Sequence, residues 1–425
     1  MTARSWQQTL LVHLAVIVLT IGRASVASGA PEPQAALTLK SAIEHGVTRG
    51  PAIIEASRNR EAASQFARHP GSSLPSVPQA TILAGARSPY NLPVGPEIVL
   101  TVQQEVSLRG LGAARARAAD WAARVASSEV DRARLEGAAT AALAWIDLLE
   151  SQGLLRLRTS VAEDAARLAR IAEIRVASGV ATAVERSLAQ AEVGAAQLAI
   201  LDGEGRATQA RLTLSHATGT SMEVMLQADG ELEHAAEPRL DARAVVESIG
   251  RQPVIRAAEA RAGQAAAEGS VAHAIFGPTF SFGASAWREG SGDHAAAAIV
   301  SVPLPFFDPA RHDLARQAVV ATAASSHAVR LRGELERETR LALHERDHTR
   351  EVQAQLRDGV VMPLRNAVRT AIMAYAAGTN DLGVVLLTRR SALAAEEHLL
   401  VAAADVWRAD IRLAALAGTL VGGTP

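Results

Sequence analysis

The chain has no cysteine in its 425 residues and a single lysine, Lys40. Without cysteine no disulfide can staple the fold and no lipid can be attached through an N-terminal thiol. Stability must therefore come from packing or from assembly. Aromatic residues make up only 3% of the sequence, low for a globular enzyme and low for a membrane barrel with aromatic girdles. A formal net charge of −1 excludes a global field that would draw the chain to nucleic acid or to an anionic membrane surface. There is no Ser/His/Asp arrangement, no glycine-rich phosphate loop and no basic-aromatic patch, so neither a catalytic centre nor a cofactor is implied. Gly110-Leu-Gly112 is too short for a nucleotide site and reads as a hinge from strand to helix.

Long apolar runs are also missing, except at the N-terminus. Residues 1–30 read as a secretory signal peptide: Arg4, an apolar run from Leu10 to Ile21 interrupted by His13 and Thr20, then small residues. Cleavage is expected near Ser25-Val-Ala27 or Ser28-Gly-Ala30, with Pro31 disfavouring the second site. A retained anchor is the alternative, opposed by a run shorter than the roughly 20 residues that a spanning helix needs. The mature chain is expected to be exported and to carry no transmembrane helix.

What is present is a duplication. Arg175-Val-Ala-Ser-Gly179 and Tyr375-Ala-Ala-Gly378 each open a helical stretch that ends at a further glycine, Gly219 and Gly418. Laying Gly179 on Gly378 sets an offset of 199 residues and also pairs Leu188 with Leu387, Ala210 with Ala409 and Leu214 with Leu413. Upstream, Arg49-Gly-Pro51-Ala-Ile matches Arg251-Gln-Pro253-Val-Ile at an offset of 202. Two similar supersecondary units are expected, over 31–230 and 231–425.

In the first unit, residues 37–68 read as helix with a break near Pro51, and His69 to Pro78 is rich in breakers. Strands are expected within about 79–107, the second with Ile98, Leu100, Val102, Gln104 and Val106 on one face. From about Ala113 to Ser178 there is no proline, and the Ala/Leu/Arg/Glu-rich sequence predicts one helix on the order of 100 Å long at about 1.5 Å per residue. Thr182-Ala-Val-Glu185 has the pattern of a capping box that starts the return helix. The second unit repeats the plan: a helix from about Asp241, strands within about 278–303, a long helix from near Ala310 blemished by Pro363, the Gly378 turn, and a last helix. In that helix Leu386, Leu393, Leu400 and Trp407 recur every seven residues, as in a coiled-coil seam, although ordinary helix packing gives the same stripe. A lone two-stranded hairpin is not stable, so the chain reads as incomplete by itself.

Taken in order, Leu39-Lys-Ser-Ala-Ile with Arg49-Gly-Pro51, Val102-Gln-Gln-Glu-Val-Ser-Leu-Arg-Gly-Leu-Gly-Ala-Ala-Arg, Val302-Pro-Leu-Pro-Phe-Phe-Asp and the Tyr375-Ala-Ala-Gly378 turn resemble the TolC-like outer-membrane efflux channel family, the outer membrane factors. The resemblance covers essentially the whole mature chain. It implies a mainly α fold with a small β part: long coiled-coil helical hairpins forming an α-barrel, and four strands per chain contributing to a trimeric 12-stranded β-barrel. It implies passive export without catalysis from the outer membrane of a Gram-negative bacterium into which the periplasmic tunnel leads. The implied partners are two further copies of the chain, a periplasmic membrane-fusion adaptor, an inner-membrane pump of the RND type and outer-membrane lipid. Phe280, Phe282, Ala284 and Ala286 would face lipid while Thr279, Ser281 and Ser285 line a wet lumen. Arg175, Gly179, Tyr375 and Gly378 would stand at the tunnel tip near the adaptor, where glycine also serves as a helix C-cap. Family members narrow the pore with acidic side chains after the second tip; aligned on Gly378, those places here hold Val384 and Leu387, with Asn380 and Asp381 nearer the turn. Asp381 is expected to contribute to a cation-sensitive constriction, or to serve as a plain N-cap. The Pro-rich strand–helix junctions resemble the metal-resistance branch of the family more than the drug-export branch.

One motif argues otherwise. His344-Glu345-Arg346-Asp347-His348 fits H-E-x-x-H, which on a helix puts two imidazoles on one face to hold zinc beside a glutamate base. Arg346 and Asp347 occupy the middle positions, which a buried zinc-protease helix keeps uncharged, and Arg340 and Arg350 flank the motif. A solvated, salt-bridged helix face is therefore expected in place of a metal centre. A soluble periplasmic coiled-coil adaptor or scaffold is the other rival, and the alternating strands speak against it.

Overall fold

The computed structural model describes residues 34–87, 94–232, 242–289, 291–303 and 311–421. The signal segment, much of the 89–96 loop and most of the Pro303–Pro309 junction lie outside these residues. In chain order the elements are β1 (Gln34–Leu37), α1 (Leu39–Arg49), α2 (Pro51–Arg68), β2 (Gln79–Arg87), β3 (Gly95–Ser107), α3 (Leu111–Ala177), α4 (Ala183–Thr218) and β4 (Met225–Ala228). They continue with α5 (Ala242–Ser248), α6 (Pro253–Ile275), β5 (Thr279–Arg288), β6 (His294–Ser301), α7 (Arg311–Gln355), α8 (Met362–Ala376) and α9 (Leu382–Ala417). The same order, helix then two strands then a long helical hairpin, occurs twice.

The punctuation is chemical. Pro51 and Pro253 each stand at the start of a helix, where the missing N–H would have had no partner anyway. The break expected near Pro51 is present: two helices meet at Gly50, and Leu37 belongs to β1 rather than to the first of them. At the other ends, Gly179, Gly219, Gly378 and Gly418 all have positive φ. All four close the same pattern, in which the amide after the glycine reaches back to the helix: Val180 to Arg175, Thr220 to Ser215, Thr379 to Ala374 and Thr419 to Ala414, at 2.9–3.0 Å. The same cap thus recurs at all four of these helix ends. Helix α3 runs 67 residues without a break, or about 100 Å. Its counterpart is interrupted: a π turn at Leu356–Val361 separates α7 from α8 just ahead of Pro363. Proline cannot donate to the carbonyl four residues back and its ring crowds that carbonyl, so the turn before it widens by one residue.

The four long strands form one antiparallel sheet in the order β2-β3-β5-β6, in which the hairpins of the two repeats join through β3 and β5. Val102 stands opposite Ala284 and Thr101 opposite Ser285. A second, two-stranded parallel sheet pairs β1 with β4 and was not foreseen from the sequence. It covers the main core, where Trp145, Leu148 and Leu149 of α3 meet Leu37, Leu214, Leu226, Leu232 and Ile411. Both indoles are polar ties as well as bulk. Trp145 Nε1 donates to the Leu37 carbonyl at 2.6 Å, and Trp407 Nε1 donates to that of Leu232 at 3.2 Å.

Beside this core α1 crosses α3 at backbone contact. A β-carbon on Gly137 would stand 2.5 Å from the Gly46 carbonyl oxygen, and one on Gly46 would stand 2.3 Å from that of Gly137. Gly137→Ala is expected to push α1 off the core and cost about 1–3 kcal/mol, seen as a lower unfolding midpoint, whereas Gly194→Ala, with open space around it, should not destabilise.

Candidate functional site

The sheet sorts its side chains onto two faces, one largely apolar and the other carrying most of the polar residues. Partners opposite each other across a ladder share a face, so the register carries one row from strand to strand. The first row holds Ala80, Ile82 and Ala84 on β2, Ile98, Leu100 and Val102 on β3, Phe282, Ala284 and Ala286 on β5, and Ala296, Ala298 and Val300 on β6. Every one of these is exposed. Phe280 continues the row half-buried, its ring 6.3 Å from that of Phe282. The other row holds Gln79 and Thr81, then Glu97, Thr101, Gln103 and Glu105, then Thr279, Ser281 and Ser285, then Ser301, with Leu83, Val99, Trp287 and Ile299 as apolar members. Thr101 and Ser285 hydrogen-bond across it at 2.9 Å. Gln79, Gln103, Glu105, Ser281 and Ser301 line a cavity of about 310 Å³ at the foot of the sheet. An apolar row turned to the surroundings and a polar row on the other side suit a wall with hydrocarbon outside and water inside. Among the described residues no helix is long and apolar enough to cross a membrane.

At the far end of the long helices the two turns meet. Leu168 and Ala172 of α3, Ala189 of α4, Ala371 and Tyr375 of α8, and Leu382, Val385 and Leu386 of α9 form one buried cluster joining the hairpins. Tyr375 is fully buried within it. Arg175 lies over the Tyr375 ring at 4.5 Å and donates to the Tyr375 carbonyl at 2.6 Å. The phenol donates to Glu185 at 3.2 Å. Burial pushes the Tyr375 phenol up, Glu185 adds to this and Arg175 opposes it, so the hydroxyl remains a neutral donor. Glu185 closes the capping box with Thr182, as its spacing predicts, but its reach to Tyr375 was not legible from that motif. Of the four residues assigned to the tip, Arg175 and Tyr375 touch, a β-carbon on Gly378 would stand 3.7 Å from the Arg175 guanidinium, and Gly179 faces open space.

Asp381 is the N-cap of α9: its carboxylate accepts from the Val384 amide at 3.0 Å. Asn380 accepts from the Asp381 amide at 3.1 Å. Val384 and Leu387 are exposed, 43% and 70%, while their neighbours Val385 and Leu386 are buried in the joining cluster. The start of α9 thus presents an exposed apolar pair, with the Asp381 carboxylate closer to the Gly378 turn.

The H-E-x-x-H segment lies on α7. Glu345 is held by Arg412 of α9 at 2.8 Å, and Arg346 pairs with Asp347 at 2.9 Å. The carboxylate that a zinc protease would use as base is thus committed to an interhelical ion pair. Among the described residues no group of three or more His, Asp or Glu is placed to hold a metal ion.

Ion pairs also lace the helices along their length, and sequence reading missed these. Arg158 of α3 reaches Asp202 of α4 at 2.8 Å and Glu397 of α9 at 2.9 Å. Arg390 of α9 reaches Glu192 of α4 at 2.7 Å. Arg408 of α9 holds Asp147 at 2.6 Å, Glu150 on α3, and Asp405 at 2.8 Å. The arginine-rich composition is the only signal that could have pointed to them.

No protein-family model matches the chain. The cobalt-zinc-cadmium resistance protein CzcC of Cupriavidus metallidurans is 24% identical over 287 residues, 67% of this chain and 68% of that protein. Among solved structures, the outer-membrane channel OprN superposes with a TM-score of 0.74 at 20% identity, covering 90% of each chain. The Campylobacter jejuni CmeC outer membrane channel gives 0.74 at 15% identity over 93% of this chain and 91% of that one. CusC, described in connection with transmembrane channel formation, gives 0.71 at 16% identity over 94% and 96%. The chain has the fold of these outer-membrane channels, as its sequence motifs led one to expect.

Proposed function

We propose that the chain is one protomer of a trimeric export channel in the outer membrane of a Gram-negative bacterium, extending into the periplasm. The observation that carries this reading is the two-faced sheet. Its outer strands β2 and β6 each have an edge with no strand partner among the described residues. A sheet whose exposed face is apolar can stand in lipid only if those edges are paired, because hydrocarbon offers no hydrogen bonds. Joining β6 of one copy to β2 of the next, three times over, closes a barrel of 12 strands. The paired helices then continue the wall as a tunnel, with the Arg175–Tyr375 turns and Gly179 and Gly378 at its tip.

The tip is the surface for a periplasmic membrane-fusion adaptor, which links the channel to an inner-membrane pump of the RND type. The channel itself does no chemistry: it conducts small solutes passively, and the pump supplies the energy. The likeness to a cobalt-zinc-cadmium resistance protein supports metal ions as the solute class, and the likeness in fold to several channels supports the passive role. Asn380, Asp381, Val384 and Leu387 form the narrow part near the tip, with Asp381 recurring as a ring of three.

Fractionation and conductance test the reading together. The protein is expected in the outer-membrane fraction, extractable only with detergent and running as a trimer, and to give stepwise ion conductance in planar bilayers. Release by osmotic shock as a soluble monomer would refute it and favour the scaffold alternative. In the same bilayers Asp381→Ala is expected to weaken block by divalent cations, and unchanged block would leave Asp381 as a helix cap alone. Deleting the gene should sensitise cells to divalent metals more than to hydrophobic drugs.

A further inference from the structure

The H-E-x-x-H segment lost its glutamate to Arg412, but its histidines remain. His344 and His348 are one turn apart on α7 and both are exposed. Their rings lie 6.1 Å apart, centre to centre, and nearly parallel at 15°. They project opposite the side of α7 that packs inward, where Thr339 and Ala342 are buried. The charged neighbours are occupied elsewhere: Glu345 with Arg412 and Asp347 with Arg346.

We propose that His344 and His348 form an exchangeable two-imidazole site for a borderline divalent cation such as zinc or cobalt. Side chains four apart on a helix have β-carbons about 5–6 Å from one another. From there, rotation about the side-chain torsions turns one nitrogen of each ring onto a common ion at about 2.0–2.1 Å. Neutral imidazole selects zinc, cobalt, nickel and copper, whereas magnesium and calcium prefer oxygen donors. Among the described residues no third side chain completes a cluster with them, so water fills the remaining positions. Such a site binds weakly and releases readily, unlike a closed structural site with four protein ligands. Glu351, exposed one turn further along the same face, adds negative charge beside the ion without displacing the water. The site concerns binding to the protein and does not depend on the export reading, since a protein that conducts nothing would still bind the ion.

The test is calorimetric titration of zinc chloride and of cobalt chloride into the detergent-purified full chain, carrying no affinity tag. The expected result is saturable binding of one ion per chain, weakened at least about tenfold in His344→Ala and in His348→Ala and not displaced by excess magnesium. His327→Ala, an exposed histidine elsewhere on α7, should bind as the parent does. A paramagnetic reading on the unmutated protein guards against variants that misassemble: one copper(II) ion per chain should show coupling to two imidazole nitrogens. Unchanged zinc binding in the His344→Ala/His348→Ala double variant, absence of saturable binding by the parent, or copper coupled to fewer than two nitrogens would each overturn the proposal. Conductance measured in parallel separates the two readings: a channel that conducts but binds no zinc loses only this site, and a protein that binds zinc but does not conduct loses only the export function.

Discussion

Arg408→Ala is expected to lower stability by about 2–4 kcal/mol. The guanidinium lies between α3 and α9 with its side chain 21% exposed, and it holds Asp147, Glu150 and Asp405 at once. Burial alone would pull its pKa down, but the hydrogen bonds to Asp147 and Glu150 more than offset that and hold it above the usual range. Removing it leaves three carboxylates facing one another, one of them, Glu150, with a side chain only 15% exposed. A fully buried pair broken on one side costs about 3–5 kcal/mol; the figure here is set lower because Asp147 and Asp405 are near half exposed and solvent screens them.

The pH dependence has a definite sign. Burial already pushes the Glu150 carboxyl up in the parent, with Arg408 opposing. Without Arg408 it rises further. A carboxyl raised in the folded state above its unfolded value stabilises when protonated, and that stabilisation is lost as pH rises through the folded pKa. The deficit of Arg408→Ala relative to the parent should therefore be largest at neutral pH and shrink as pH falls through the raised Glu150 pKa. Denaturant midpoints of the purified protein at neutral and mildly acidic pH check this, and adding Glu150→Gln to the variant should recover part of the loss at neutral pH. A change within about 0.5 kcal/mol would mean that the cluster is no more than a solvated surface group.

The second large effect is a contrast between adjacent residues. Ala298 and Ala297 follow one another on β6, opposite Ala284 and Ser285 of β5, and therefore point to opposite faces of the sheet. Both are exposed in the chain. Ala298→Arg puts a guanidinium on the apolar row, at a cost of about 2–4 kcal/mol if that row meets the middle of a bilayer. Loss of outer-membrane assembly and of export is the expected result. Ala297→Arg puts the same charge on the polar row. That variant should assemble, and its conductance should shift toward anions because each copy adds a positive charge to the lumen. Equal tolerance of both substitutions would contradict a membrane-spanning sheet, and failure of both would assign the effect to strand packing.

Much of this architecture was legible because its signals are local. Proline at helix starts, glycine with positive φ at helix ends and the alternation along residues 279–286 each depend on a few consecutive residues, and the recurrence of these signals let each be read twice. Arg175 and Tyr375 were singled out in the same way, as landmarks at equivalent turns. Most of the misses are contacts between segments far apart in the chain. The β1–β4 sheet joins two four-residue strands about 190 positions apart, too short to show any periodicity. Pro363 announced an interruption but not its form, since a proline inside a helix is compatible with a kink, a break or a widened turn. The H-E-x-x-H segment matched a motif whose glutamate proves to be paired with Arg412, a partner 67 residues away.

By itself, then, the sequence determined the long helices, the four long strands and the caps and prolines that bound them, because backbone sterics, capping and periodicity act within a few residues. Only the tertiary structure decided which charges meet, how the two hairpins join into one sheet, that Glu185 reaches the Tyr375 phenol and that the two histidines of α7 are left facing outward. Those outcomes depend on burial and on distance in space, and the spacing of residues along a chain does not encode either until the helices have packed.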